Sequence, residues 1–358
     1  MASNTSGVDE AGPRVATILV ARGMANSLQM GFGTFGSVTP KAGVQMTDKH
    51  PCDTALMPQR NAPYTQTQAS QPAVTLPAMP APIVFAHANS YPASTYRVLF
   101  DIWRAAGHEV HALERFGHDP RYPGTMNWPH LVEQLRDFIE DEVREPAWLV
   151  GHSLGGYLSM MVASQHPHLA PGVVVLDSPI LTGWKSAGLG AAKRLQAMDR
   201  VMPSRISAQR THEWPSLEAA HAHFRAKPAF AAFHPEVLAD YVAHGTRPHG
   251  PVRRLSFDRE IESAIYNTVP HRLLQSFRRR PFRCPVAFIG GTRSRELRQV
   301  GLGGIRQIVG SRLSWIQGTH LYPFESPDQT AQVVLDWLHQ FQSTPAHTTP
   351  ADAPQARP

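Results

Sequence analysis

Cysteine is almost absent from this sequence: Cys52 and Cys284 are the two among 358 residues. Two cysteines build no disulfide framework, and no Cys-x-x-Cys or Cys/His spacing suggests a zinc site. Long apolar runs are missing as well, since no stretch approaches the roughly 18 consecutive apolar residues of a membrane span. Near the N-terminus no basic region leads into an apolar one. Thr17-Ile18-Leu19-Val20-Ala21 is short and ends at Arg22, so a standard secretory signal is not expected. A reducing cytoplasm is the expected location. Charged residues make up 17% and hydrophobic residues 42%, a balance suited to a soluble globular core.

The net charge of +6 raises the question of a nucleic-acid partner. The arginines are scattered, however, and the dense run Arg278-Arg279-Arg280 has no interleaved aromatics, so a solvated basic surface is expected and no nucleic acid. Residues 1–80 are rich in Ser, Thr, Gln, Ala and Pro and lack sustained periodicity, which predicts a disordered extension. They contain Gly31-Phe32-Gly33-Thr34-Phe35-Gly36, formally a dinucleotide fingerprint. Ser37-Val38-Thr39-Pro40 follows where that motif needs a helix, so the match carries no weight. The tail, residues 343–358, is again rich in Pro, Thr and Ala and is expected to be disordered.

From Pro82 onward, short apolar runs alternate with helical spacing. Ile83–Ala86, Val110–Leu113, Ala147–Val150 and Val173–Leu176 read as strands, and Thr95–Ala106 and Pro129–Val143 as helices. The strand rhythm stops over residues 179–281, which read as several helices with no clear strand. It resumes with strands Val286–Ile289 and Leu313–Ile316, a helical segment around Glu296–Val309, and a helix Pro327–Phe341 opened by Ser326-Pro327-Asp328. The fold class is therefore α/β: a mostly parallel sheet with helices on both faces. Its core comprises residues 81–178 and 282–342, interrupted by a helical cap insertion at 179–281.

One short stretch carries chemistry. In "AWLVGHSLGGYLSMMVAS", Ser153 sits between a strand and a helix, with Gly151 two residues before it and Gly155 two after. A serine on such a turn is lifted clear of the sheet at the carboxyl ends of the strands, where open α/β sheets bind ligands. With these features the chain resembles the α/β-hydrolase family over roughly Pro82–Phe341, without clear counterparts of that fold's first two strands. The resemblance implies Ser153 as nucleophile in "GHSLGG", with Gly151, His152 and Gly155 supporting the turn. "FAHANSYP" resembles the family's oxyanion loop. It implies His87 as a supporting residue, the N–H of Asn89 or Ala88 as one oxyanion donor and that of Leu154 as the other.

"QGTHLYPFESP" is similar to the family's histidine loop, which implies His320 as the base. For the acid the choice lies between Asp177 in "VVVLDSP" and Glu296, the one carboxylate near the position many members use. Asp177 is preferred because Arg293 and Arg295 flank Glu296 and are expected to hold it in a surface ion pair. The implied reaction is hydrolysis of a small carboxylic ester through an acyl-enzyme, with no metal and no cofactor. Activity is expected to fall below about pH 6 to 7, where a histidine of ordinary basicity is protonated. A thioester or carbon–carbon bond hydrolase with the same triad is an alternative, as is a non-catalytic ligand-binding member of the fold. Trp184, Met198, Met202, Phe224, Phe230, Phe233 and Tyr241 are candidates to line a pocket under the cap.

Overall fold

The computed structural model describes residues 80–195 and 209–343. The expectations for residues 1–79, for Met198 and Met202 and for the tail beyond Ser343 lie outside the described residues. Six strands form one parallel sheet in the order β2-β1-β3-β4-β8-β9. They are β1 (Ile83–Ala86), β2 (Val110–Ala112), β3 (Trp148–His152), β4 (Val173–Leu176), β8 (Val286–Gly291) and β9 (Leu313–Ile316). Pairing is parallel at every step, with Phe85 opposite Val150, His152 opposite Leu176 and Leu176 opposite Ile289.

The four inner strands are buried on both faces because both faces are covered, while the edge strands β2 and β9 are partly exposed. Side chains alternate across a strand, and the alternation here separates two cores. Ile83, Phe85, Val150, Val174, Leu176 and Ile289 face one core, which they share with Leu99, Phe100 and Trp103 and with Val334, Leu338 and Phe341. Val84, Ala86, Leu149, Val173, Val175 and Phe288 face the other, with Leu131 and Leu135, Leu158 and Val162, and Ile305 and Val309. The covering helices are Arg97–Ala105 and Pro327–Ser343 on the first face. On the second are Pro129–Asp137, Leu154–Gln165 and Gly303–Val309.

From β1 the chain steps outward to β2 and then returns to the far side of β1 as β3. This reversal opens a crevice at the carboxyl ends of β1 and β3, the topological switch point where α/β sheets take ligands. The loop after β1 and the turn after β3 both border it.

The segment between β4 and β8 departs from the sequence expectation of no clear strand. Its helices include Gly183–Arg194, Leu217–Arg225, Pro235–Gly245, Arg259–Asn267 and Leu273–Arg279. A three-stranded antiparallel sheet lies among them, with β7 (Val252–Leu255) between β5 (Glu213–Trp214) and β6 (Thr246–His249). Those strands read Thr-Arg-Pro-His and Val-Arg-Arg-Leu and are largely exposed, so no apolar alternation marked them. Two predicted helices are also subdivided. Pro129–Val143 ends in a wider π-helical turn from Phe138, and the segment around Glu296–Val309 breaks at Gly301 into Arg295–Val300 and Gly303–Val309.

Trp103 joins the helix Arg97–Ala105 to the last helix. It is fully buried, and its indole N–H donates to the Ala331 carbonyl at 3.1 Å. Trp103→Ala removes a large buried ring and its hydrogen bond to the last helix. It is expected to destabilise the protein by about 3–5 kcal/mol, measured as a lower denaturation midpoint in urea at unchanged slope.

Candidate active site

The turn after β3 forces Ser153 into an unusual conformation, φ 54° and ψ −113°. Such a conformation costs on the order of 1–3 kcal/mol and persists where its surroundings over-determine it. They do so here. The Ser153 N–H donates to the Leu176 carbonyl at 3.0 Å, and its carbonyl accepts from the Ser178 hydroxyl at 2.7 Å and the Gly156 N–H at 3.1 Å. A Cβ on Gly155 would land on the Ala86 carbonyl, and one on Gly151 on the Gly155 carbonyl. Both positions therefore require glycine, which lets the helix Leu154–Gln165 start against β1.

The hydroxyl of Ser153 does not cap its own helix. It lies 3.0 Å from Nε2 of His320, which the loop after β9 carries. On the other side of the ring, Nδ1 of His320 is 2.6 Å from Oδ2 of Asp177, at the end of β4. Asp177 is fully buried and also in the left-handed region, with φ 50°. Its Oδ1 accepts the Gly291 N–H at 3.0 Å and its Oδ2 the Ser294 hydroxyl at 2.6 Å. In the neutral ring, a carboxylate so placed makes Nδ1 the protonated nitrogen and leaves the Nε2 lone pair facing Ser153. Burial pushes the His320 imidazole down, but Glu296, the hydrogen bond and charge of Asp177, and Glu325 outweigh it. The result is a pKa raised to about 9.

Glu296 does not sit where the sequence reading put it. It forms no ion pair with Arg293 or Arg295 among the described residues, and Arg293 turns instead toward Glu325 at 3.7 Å. The Glu296 Oε2 stands 3.5 Å from the Ser294 hydroxyl, so Ser294 lies between the two carboxylates.

The loop after β1 is pinned by several hydrogen bonds. The His87 carbonyl accepts from the Gly155 N–H at 3.1 Å. Nε2 of His87 accepts the Phe116 N–H at 3.1 Å, so its Nδ1–H donates to the Ala88 carbonyl at 2.8 Å. The Ala88 N–H donates to the Tyr96 hydroxyl at 3.2 Å, which places Ala88 outside the oxyanion role. The N–H groups of Asn89 and Leu154 have no acceptor among the described residues.

A buried chain continues from there. The Tyr96 hydroxyl donates to Nδ1 of His152 at 2.8 Å, and Nε2–H of His152 donates to the His320 carbonyl at 3.0 Å. Burial holds both His87, at about 4, and His152 well below the usual imidazole range, so both rings are neutral. Tyr96 and Ser294 escaped the sequence reading. Ser294 carried a legible signal, a hydroxyl before the helix Arg295–Val300 whose Leu297 N–H it caps at 3.1 Å. Tyr96 carried none, because its partner is 56 positions away.

Of the candidates under the cap, Trp184 is 58% exposed. Phe224, Phe230, Phe233 and Tyr241 are buried and pack as a core, Phe230 lying 4.9 Å from both Phe233 and Tyr241. That cluster touches Tyr91 of the loop after β1, 5.4 Å from Tyr241, and Phe324 after the histidine loop, 4.9 Å from Phe233.

The serine turn, the parallel sheet and the crevice define an α/β-hydrolase. The model of the alpha/beta hydrolase family matches residues 83–333, and the chain belongs to that family. Among curated proteins it is 23% identical to ethanol acetyltransferase 1 of Cyberlindnera fabianii over 284 residues, 75% of this chain and 83% of that one. It is 38% identical to the chloroplastic pheophytinase of Arabidopsis thaliana over 52 residues, and the match spans 11% of that relative's length. Among solved structures, E-2-(acetamidomethylene)succinate hydrolase superposes with a TM-score of 0.58 at 18% identity, covering 73% of this chain and 91% of that one. A thioesterase domain from the curacin biosynthetic pathway gives 0.52 at 19%, covering 71% and 91%. An esterase of M. tuberculosis gives 0.53 at 17%, covering 73% and 86%. Among the described residues no helix is long and apolar enough to cross a membrane.

Tyr96→Phe removes the hydroxyl between the Ala88 N–H and His152, leaving two buried groups without a partner. A loss of about 1–3 kcal/mol in unfolding free energy is expected. A variant as stable as the parent would show that water replaces the hydroxyl.

Proposed function

We propose that this chain is a serine hydrolase acting on small carboxylic esters, with Ser153 as nucleophile, His320 as base and Asp177 as the acid that orients it. The observation that carries the reading is the continuous line from the Ser153 hydroxyl to His320 at 3.0 Å and on to Asp177 at 2.6 Å. Ser153 attacks the ester carbonyl while its proton passes to Nε2 of His320. The tetrahedral oxyanion is stabilised by the N–H groups of Leu154 and Asn89, which no acceptor occupies among the described residues. The imidazolium then protonates the departing alkoxide, leaving an acyl-enzyme. Water attacks the acyl group with His320 again as base, and the acid leaves as Ser153 recovers its proton. Asp177 holds Nδ1–H throughout and stabilises the imidazolium.

The segment between β4 and β8 acts as a cap in this reading, its aromatic cluster packed on both active-site loops. The resemblance to an ethanol acetyltransferase supports a second reading, in which an alcohol rather than water takes the acyl group. Product analysis in ethanol–water mixtures separates the two. Thioester cleavage would use the same residues, as the likeness to a thioesterase domain allows.

Ser153→Ala is expected to abolish fluorophosphonate labelling and to lower p-nitrophenyl acetate turnover by on the order of 10⁴-fold or more. The circular dichroism spectrum should be unchanged. Persistent labelling would move the nucleophile elsewhere.

The pH dependence tests the base. A pKa raised to about 9 keeps His320 protonated in the free enzyme until the medium is alkaline. Since the base works only when neutral, kcat/KM should be low at pH 7 and rise through a midpoint near 9. This replaces the midpoint of 6 to 7 that an ordinary histidine would give. A profile already flat above pH 7 would mean that the surrounding carboxylates do not raise the base.

A further inference from the structure

The site holds one carboxylate more than the proposed mechanism uses. An oxygen of Glu296, an oxygen of Asp177 and a ring nitrogen of His320 all lie within 4.8 Å of one another. Ser294 connects the two acids, its hydroxyl 2.6 Å from Asp177 Oδ2 and 3.5 Å from Glu296 Oε2. A hydroxyl has one proton to give, and the shorter contact takes it. Glu296 is therefore left beside an oxygen lone pair.

No cation neutralises Glu296 among the described residues, although arginines stand on both sides of it in the sequence. Arg293 is directed at Glu325, 3.7 Å away. The charged and titratable groups facing the His320 ring come from four elements. Asp177 at the end of β4 is already engaged with Gly291, Ser294 and the ring itself. Glu325, in the short helix Tyr322–Glu325, accepts from the Thr319 N–H at 3.0 Å and shares its charge with Arg293. His152, its ring centre 5.1 Å away at the end of β3, is neutral. Glu296, in the first turn of Arg295–Val300, is the remaining negative charge. The nearby group that can become a cation to match it is His320.

We propose that Glu296 is a second carboxylate of the base: a positioning residue that stabilises the imidazolium form of His320 and shares with Asp177 the holding of its Nδ1 side. The inference rests on the hydrolase reading for its meaning in catalysis, but not for its test. Such an arrangement makes the base more basic than one carboxylate would. It also leaves part of the orienting function in place when Asp177 is lost, because an oxygen of Glu296 stays within 4.8 Å of a ring nitrogen of His320.

The first arm of the test needs no turnover. In the Ser153→Ala protein, the His320 ring is titrated by NMR with Glu296 intact and with Glu296→Gln. The substitution is expected to lower the pH of half-protonation by about half a unit or more. In the Ser153 protein, Glu296→Gln should move the rising limb of kcat/KM to lower pH by the same amount. It should lower the plateau kcat by less than about tenfold, and Glu296→Asp should restore the limb in part. The second arm compares Asp177→Asn with Asp177→Asn/Glu296→Gln. The single variant should lose about 10³-fold in kcat, and the double variant a further tenfold or more.

An unchanged titration, or a double variant no worse than Asp177→Asn, overturns the proposal. Where Asp177→Asn does not fold, the NMR arm decides alone, because it keeps Asp177. A parent protein that fails to react with fluorophosphonate defeats the hydrolase reading, while the titration still decides whether Glu296 acts on His320.

Discussion

The carbonyl of Ala86 occupies the place a side chain on Gly155 would need. With glycine there, the helix after Ser153 begins in contact with β1, close enough for the Gly155 N–H to bond the His87 carbonyl. That approach fixes the loop after β1 relative to the serine turn, and with it the spacing of the Asn89 and Leu154 N–H groups. Were the helix displaced by the width of a methyl group, the strained backbone of Ser153 would relax. The hydroxyl would then no longer point at His320. Backbone packing at one glycine thus sets the geometry of a site whose side chains come from β3, β4 and the loop after β9.

The inner strands were legible because they are buried on both faces, and the partly exposed edge strand Leu313–Ile316 because three of its four residues are apolar. Ile83–Ala86, Val173–Leu176 and Leu313–Ile316 appear in the structure with the bounds their apolar runs suggested. Ser153, Asp177 and His320 could be picked out because each sits just past a strand with its own local signal. The three strands between β4 and β8 could not, since residues such as Arg247, Arg253 and His249 give those runs no apolar alternation. Contacts across long separations were equally silent: nothing near Tyr96 in the sequence points to His152. The expected pairing of Glu296 with Arg293 failed for a related reason. Adjacency in sequence says little about direction once one residue lies in a turn and the next opens a helix.

Charge is distributed unevenly around the crevice beside Ser153. Two of its histidines, His87 and His152, are held neutral by burial and act as fixed hydrogen-bonding spacers with one tautomer each. The third, His320, is surrounded by carboxylates and is the ring whose ionisation is favoured. The same residue type therefore serves as rigid scaffold in two places and, in the proposed reaction, as proton carrier in the third. The difference is made by what faces each ring.

The aromatic cluster beneath the segment between β4 and β8 belongs to three parts of the chain at once. Tyr91 comes from the loop after β1, Phe324 from the helix after the histidine loop, and Phe230, Phe233 and Tyr241 from the overlying helices. Close-packed rings do not move independently. Warming that loosens the overlying helices therefore unsettles the loop after β1 and the histidine loop together. The same rings share one core with Phe85, Val150 and Leu176 of the sheet, so loss of the overlying helices strips packing from that face as well.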